Sequence, residues 1–399
     1  MTDQKASGHD RDYDIVLFGA TGFTGGLTAE YLAEHAPAET RWALAGRNRA
    51  KLEAVRERLA AINPACKELP LLHADTADAP SIDRIARSTR TVITTVGPYV
   101  RHGEPLVAAC AASGTDYLDL TGESTFIDRM YVKYHAEAVR SGARIVHAAG
   151  FDSIPHDLGA YFTVRHLPEG VPLHVEGFVR VNADISGGTW HSAIGIFADL
   201  RSMIRAERER RRMESPAPHG RKIRVSRRLA PRARVRWALP LPGIDAQVVA
   251  RSAAANERYG PDFSYGHYGA VRRLPVAVGL AAGAAAAVAL AQFAPTRALL
   301  LRMRAPGEGP SAEKRAQHWF KVTFVGEGGG ERVVTEVSGG DPGYGETAKM
   351  LAESALCLAF DDLPAASGQI TPATAMGDAL VRRLDRAGIT FRLRSEERA

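Results

Sequence analysis

The sequence predicts an α/β protein in which a doubly wound parallel sheet is followed by a second, α+β domain on a mostly antiparallel sheet. Three observations carry that expectation. Residues 14–25 read DIVLFGATGFTG, a β-branched strand broken by Gly19, Gly22 and Gly25, with a helical pattern following at once. From Arg41 to His147 strand-like and helix-like segments alternate, as parallel strands joined by crossovers require. Further on, LHVEGFVRV and HWFKVTFVGEGGGERVVTEVSG alternate like antiparallel strands, the latter around a glycine-rich turn.

The order strand, glycine turn, helix is what a dinucleotide diphosphate needs, which makes the first half a Rossmann unit. Gly19 lets the chain turn, Gly22 lets the backbone come close to the phosphates, and Gly25 lets the helix lie near the strand. The expected cofactor loop is thus Gly19, Ala20, Thr21, Gly22, Phe23, Thr24 and Gly25, its amides and the helix dipole facing the anion. The second strand, RWALAGR, ends in Arg47, with Asn48, Arg49 and Lys51 behind it. An NAD site usually places Asp or Glu there for the ribose 2′-OH, whereas a cation fork suits a 2′-phosphate. Arg47, Asn48 and Lys51 therefore point to NADP(H); the alternative is that Arg47 caps its strand and Lys51 lies on a solvated helix face.

The next segment is an amphipathic helix by its Leu52, Val55, Leu59 and Ile62 spacing, followed by a third strand, LPLLHAD. Asp75 lies just past it, where a side chain often meets adenine and where an Asp is more commonly a helix N-cap. After SIDRIARS comes the fourth strand, TVITTVGPY, whose end should face the nicotinamide half of the cofactor. Gly97 and Pro98 are expected at that contact. Tyr99 either donates a proton or hydrogen bond to substrate or is a ring wedged against the adjacent helix. A fifth strand, TDYLDLTGE, a helix from about Ser124 to Arg140, and a sixth strand, ARIVHAAGFDS, complete the unit. The sixth opens into a helix with Pro155 near its first turn, where Asp152 or Ser153 is both a good N-cap and a plausible site residue. His156 is a candidate proton donor, set against the commoner structural histidine.

Composition bounds the rest. The chain has 399 residues and an apolar fraction of 45%, enough for two or three cored domains. Cys66, Cys110 and Cys357 lie far apart without CxxC or His partners, which argues for reduced thiols in a cytoplasmic compartment and against a metal site. The polar start lacks an apolar signal core, so residues 1–12 are expected to be a loose tail. Net charge is +6, but residues 201–236 hold 14 Lys or Arg against three Glu, a local +11 that leaves the remainder at −5. Without aromatic residues before Trp237 or a helix-turn-helix, zinc or RNP pattern, nucleic acid is not the expected partner. A solvated helix and mobile arm, an anionic lipid surface and an acidic protein partner remain open.

GATGFTG, AGRN, VGPYVRHGEPLVAACAASGTDYLDLTGE, GFDSIPHDLG, SGGTWHSA and TPATAMGDALVRRLDRAGITF together resemble the saccharopine dehydrogenase-like oxidoreductases, and among these the actinobacterial trans-acting enoyl reductases. The resemblance runs from about residue 12 to the C-terminus. It implies an NADP-binding Rossmann domain over 13–155, a substrate- or lipid-facing domain over 156–340, and C-terminal helices over 341–399 packing back on the first domain. The second domain would carry the basic arm 201–236 and the apolar segment 274–294. Thr189, Trp190 and His191 could reach the nicotinamide cleft, with Trp190 equally a core anchor. The activity implied is NADPH-dependent reduction of an α,β-unsaturated acyl or polyketide thioester held by the acyl-carrier domain of a synthase, in lipid assembly. Tyr99 or His191 would stabilise the enolate oxygen, and His156, Tyr99 or water would protonate the α-carbon. Two other readings stay open: an amino-acid imine dehydrogenase of the saccharopine type, and a non-catalytic lipid-surface protein that keeps the cofactor fold. Val276–Ala291, sixteen apolar or glycine positions, would be a buried helix or an element touching a bilayer or acyl chain at the inner face of the plasma membrane, its alanines and glycines making a true span doubtful.

Overall fold

The computed structural model describes residues 11–183, 190, 194–195, 200–214, 216–226, 230–232, 235–241, 243–271, 274–303 and 309–398. The first sheet is wholly parallel, in the order β14-β6-β5-β4-β1-β2-β3. Its strands are β1 (Tyr13–Phe18), β2 (Trp42–Gly46), β3 (Leu71–His73), β4 (Thr89–Thr94), β5 (Asp116–Asp119), β6 (Arg144–Val146) and a late addition, β14 (Gly368–Gln369). β1 is central because it is apolar on both faces: Ile15, Val16 and Leu17 are fully buried, with Ile15 set between Trp42 and Thr91. The strand order reverses at β1, so the carboxyl ends of β1 and β4 form the crevice where ligands bind in such sheets.

The connecting helices are α1 (Phe23–His35), α2 (Arg49–Ile62), α3 (Ala79–Ser88), the short α4 (Tyr99–His102), α5 (Glu104–Ser113) and α6 (Ser124–Ser141). In α2 the expected stripe buries Leu52, Val55 and Leu59. Ile62 departs from it and is 40% exposed, because the helix ends there and Asn63 starts a 3₁₀ turn by accepting from the Ala65 amide.

The second sheet runs β15-β13-β12-β7-β11-β10-β9, with β8 also paired to β11. It comprises β7 (Leu173–Asn182), β8 (Lys222–Ser226), β9 (Ala230–Arg232), β10 (Val235–Pro240), β11 (Asp262–Val271), β12 (Trp319–Gly328), β13 (Glu331–Gly339) and β15 (Thr390–Arg398). Among the described strands only β11 breaks the antiparallel pattern, lying parallel to β7 and β8. The β12–β13 hairpin turns at Gly329 and Gly330, with φ of +62° and +78°, the left-handed pair that a tight two-residue turn demands.

Helix α7 (Ile154–Val164) joins the layers. A Cβ on its Gly159 would come within 2.3 Å of the Phe324 ring, so this glycine sets how closely α7 lies on β12. One continuous apolar core runs from Ile15 and Leu17 through Leu158 to Phe324 and Met350. The C-terminal portion holds more than the expected helices. Helix Gly345–Phe360 packs beside α1 over β1, β4 and β5, but β14 then extends the first sheet and β15 the second.

The described residues of the basic segment have regular structure. They form helix Leu200–Met213, packed on α6, followed by β8, β9 and β10 within the second sheet. Arg210 is buried between Asp128 and Glu214, and Arg221 donates to the carbonyls of Gly260 and Ala253. Arg201, Arg205, Arg208 and Arg212 form the outward row of that helix. The apolar stretch is helix Leu274–Ala291, continued by helix Ala294–Arg302, and most of its described side chains are exposed: Val278 is 59% and Phe293 67% exposed, and Leu290, Leu299 and Met303 are exposed as well, whereas Ala291 is buried. Among the described residues no helix is long and apolar enough to cross a membrane.

Candidate active site

The glycine turn is shaped by close approach. Gly19 has φ +105°, and its carbonyl accepts from Thr95 Oγ1 at 3.1 Å, which ties the end of β1 to the end of β4. A Cβ on Gly25 would fall 2.2 Å from that carbonyl oxygen, so only glycine lets α1 start here. At Gly22 the nearest atom to an added Cβ is 3.5 Å away, and Thr21 and Gly22 are open to solvent at the head of α1. Phe23 stacks edge-on against Tyr344, with the Arg315 guanidinium over its ring, so the later part of the chain flanks the loop.

Arg47 is exposed beyond β2 and makes no ion pair among the described residues. Asn48 Oδ1 accepts from the Lys51 amide at 3.0 Å, which fixes the start of α2 and leaves the Asn48 amide group and the exposed Lys51 ammonium available. Arg49 is turned to Glu53 at 3.0 Å. Asp75 is not a helix cap; its Oδ1 accepts from the Ala77 amide in a tight turn.

Beyond β4, Gly97 and Pro98 are exposed and joined by a cis peptide bond. Tyr99, next in line, is buried against Phe126, its hydroxyl donating to the Thr94 carbonyl and accepting from the Leu120 amide. Burial and the nearby Asp119 push its phenol well above the ordinary range. The Tyr99 ring is wedged against its neighbouring helix, and its hydroxyl has no donor left for a substrate. Glu123 accepts from the amides of Tyr99 and Val100, holding the start of α4. Asp119 likewise fixes loops: it accepts from Tyr117, from the amides of Thr121 and Ala148, and meets His147 Nδ1 at 2.7 Å.

The turn after β6 brings the remaining candidates together. Neither Asp152 nor Ser153 caps α7 by its side chain; Ser153 Oγ donates back to the Ala148 carbonyl instead. Asp152 lies so near Gly122 that a Cβ there would be 3.2 Å from its Oδ2. His156 is 2% exposed, with Nε2 3.3 Å from Asp245 Oδ1, and Asp245 Oδ2 is 3.6 Å from His267 Nε2. Tyr265 places its hydroxyl 3.3 Å from His267 Nδ1. Burial, with His267 adding to it, holds His156 well below the usual imidazole range; burial pushes His267 down to about 4 and raises Asp152, and burial with Asp152 drives Asp245 well up. No lysine or arginine among the described residues contributes to these four shifts. The site therefore favours neutral imidazoles and protonated carboxyls.

Asp245 opens helix Asp245–Ala255 and His267 sits in β11. Sequence reading missed both. For His267 a signal existed: it shares strand parity with Phe263 and Tyr265, which are buried, so a polar ring at that position marks an inward-facing group. The donor atoms of His156, Asp245 and His267 lie within 4.8 Å of one another, a grouping that a cation could also take and that cysteine and histidine spacing did not suggest. His191 and Thr189 lie outside the described residues. Trp190 donates its indole N–H to the Leu300 carbonyl at 2.7 Å.

A glycine loop at the switch point of a parallel sheet, with a second sheet packed on the same apolar core, is the architecture of a nucleotide-dependent oxidoreductase, and residues 15–146 match the model of the saccharopine dehydrogenase NADP-binding domain. Its cofactor is NADP(H). Saccharopine dehydrogenase (L-Glu forming) from Saccharomyces cerevisiae shares the fold, with a TM-score of 0.54 at 12% identity, over 96% of this chain and 100% of that one. Trans-acting enoyl reductases of Mycobacterium ulcerans and Mycobacterium tuberculosis are 34% and 35% identical over 96% of this chain and 98% of their own. Another Mycobacterium tuberculosis protein, provisionally given that designation, is 38% identical over 96% of this chain and 97% of its own. The chain belongs to this family of trans-acting enoyl reductases.

Proposed function

We propose that the protein reduces the α,β double bond of an acyl or polyketide thioester presented by the carrier domain of a separate synthase. Bound NADPH supplies the hydride that reduces the β-carbon. The glycine loop from Gly19 to Gly25 would hold its diphosphate, Arg47 with Lys51 and the Asn48 amide its 2′-phosphate, Asp75 the adenine edge, and Gly97 and Pro98 the nicotinamide side. What this chain must then provide is a proton for the α-carbon and a donor to the enolate oxygen. The observation that carries the reading is His156 Nδ1, a buried nitrogen with no partner among the described residues, in the helix that opens from the end of β6. Tyr99 is set aside from this role by its two backbone bonds. An imine dehydrogenase would need a cation for the substrate carboxylate, and the groups around His156 are acids and neutral imidazoles.

The row Arg201, Arg205, Arg208 and Arg212 suits an acidic carrier domain, which such a face attracts through the screened field of several charges. NADPH oxidation should proceed with a carrier-bound enoyl thioester at a KM at least about tenfold below that of the same acyl group on free pantetheine, and the advantage should shrink as salt is raised. Oxidation with glutamate plus an amino-acid semialdehyde, and none with any enoyl thioester, would refute the reading.

A second contact is favoured by the exposed Val278, Leu290, Phe293, Leu299 and Met303 on the paired helices near Arg297 and Arg302. Such a surface fits shallow burial in an anionic bilayer. The protein should float with anionic vesicles, and Phe293→Asp with Leu299→Asp should leave it at the bottom of the gradient. Equal flotation of both forms would remove the membrane from this picture.

A further inference from the structure

We infer that Asp245 and His267 are positioning residues of a buried proton relay that ends at His156. The inference rests on the enoyl-reductase reading and deepens it. Three elements converge: α7 brings His156, the first residue of helix Asp245–Ala255 brings the carboxyl, and β11 brings His267 and Tyr265. Gly177, opposite His267 in β7, leaves room for the Tyr265 hydroxyl, since a Cβ there would sit 2.6 Å from it.

The chemistry of the partners orders the protons along this chain. A tyrosine O–H is the natural donor to a neutral ring nitrogen, so Tyr265 donates to His267 Nδ1 and His267 keeps its proton on Nε2, toward Asp245 Oδ2. Asp245 Oδ1 lies 3.3 Å from His156 Nε2 and Oδ2 3.6 Å from His267 Nε2, but Oδ1 has no hydrogen-bond partner in this geometry, so both contacts must shorten for the relay to run. Burial favours the uncharged state of every member, so in the relay Asp245 holds a proton that passes to His156 Nε2 once that contact closes. His156 consequently carries its own proton on Nδ1, the nitrogen that has no partner among the described residues. A buried N–H without an acceptor is costly, and a substrate group arriving there restores the bond.

Once the β-carbon has been reduced, the His156 Nδ1–H bond breaks as a C–H bond forms at the α-carbon, and the Asp245 proton moves to His156 Nε2. One proton from solvent then returns to His156 Nδ1 as the Nε2 proton passes back to Asp245, which restores the starting state. The other titratable groups nearby among the described residues are Asp152, which raises Asp245, Asp157 of α7, which burial pushes up to about 7 against Ser252 Oγ, the Ala373 amide and the Arg251 guanidinium, and Tyr259, on which Asp157 and Tyr265 act.

The first test needs no substrate and no variant. With histidine labelled by ¹⁵N, NMR of the wild-type protein should show His156 neutral as the Nδ1–H tautomer and His267 neutral as the Nε2–H tautomer at neutral pH. An imidazolium at either position, or His156 as the Nε2–H tautomer, would overturn the relay even if turnover were demonstrated. The second test is kinetic. A carboxyl with a raised pKa keeps its proton from low pH up to that raised value, so turnover should fall on the basic side as Asp245 ionises. Asp245→Asn should lower kcat by about 100-fold, abolish that basic limb and leave the KM for NADPH within about twofold, while Asp245→Glu recovers part of the loss. An unchanged kcat with the same limb would refute the relay. So would one equivalent of a divalent cation in the purified protein that is lost in His267→Ala, because the same atoms would then be ligands.

Discussion

Gly25→Ala should weaken NADPH binding by at least about 100-fold, or about 3 kcal/mol, while the protein stays folded. An alanine Cβ at this position would lie 2.2 Å from the Gly19 carbonyl oxygen and 2.6 Å from Thr95 Oγ1. Neither neighbour can retreat cheaply, since one is backbone and the other closes the β1–β4 tie through the 3.1 Å bond to Gly19. The start of α1 must move outward, and the amides that would face the diphosphate move with it. Gly22→Ala makes the complementary experiment. Its Cβ would meet protein only at 3.5 Å, so the unliganded fold should be untouched, and any loss of NADPH affinity reports the diphosphate itself. Calorimetric titration of both variants, with circular dichroism as the folding control, decides the matter. Unchanged binding in Gly25→Ala would place the cofactor elsewhere.

Arg47→Ala should raise the Kd for NADPH by about 10- to 100-fold and leave that for NADH within about twofold. A charge-assisted bond to phosphate is worth about 1.5–3 kcal/mol, and NADH offers Arg47 no phosphate to bind. The side chain is exposed and unpaired among the described residues, so its removal costs the fold nothing that would blur the comparison. Arg47→Lys should fall between, keeping a point charge and losing the planar fork. Equal losses for the two nucleotides would refute the assignment of Arg47 to the 2′-phosphate.

What could be read from the sequence was what short-range spacing encodes. The glycine turn, the end of β2 and the apolar stripe of α2 each lie within a dozen or so residues, where period and backbone sterics suffice. Tyr99 shows where that stops. A ring after a β4 turn looks the same whether it faces a ligand or fills the core, and only the long-range bond from the Leu120 amide distinguishes them. Arg210 is similar: within an arginine-rich run it reads as solvated, yet Asp128 on α6 draws it into the interior. Asp245 and His267 were missed because the site they build with His156 exists only after three distant elements meet. The run from Val276 to Ala291 has the composition of a buried helix, and its exposure comes from the absence of any covering layer over the described side chains.

The main chain passes between the two sheets three times: through α7, ahead of helix Gly345–Phe360, and again between β14 and β15. Swinging the halves apart would have to bend all three connections at once and wet side chains such as Leu158 and Phe324, each worth about 1.5–3 kcal/mol of burial. Opening the two sheets like jaws is therefore a costly motion for this fold. The cheaper route by which a nucleotide could come and go is a small displacement at the rim, with the common interior left packed.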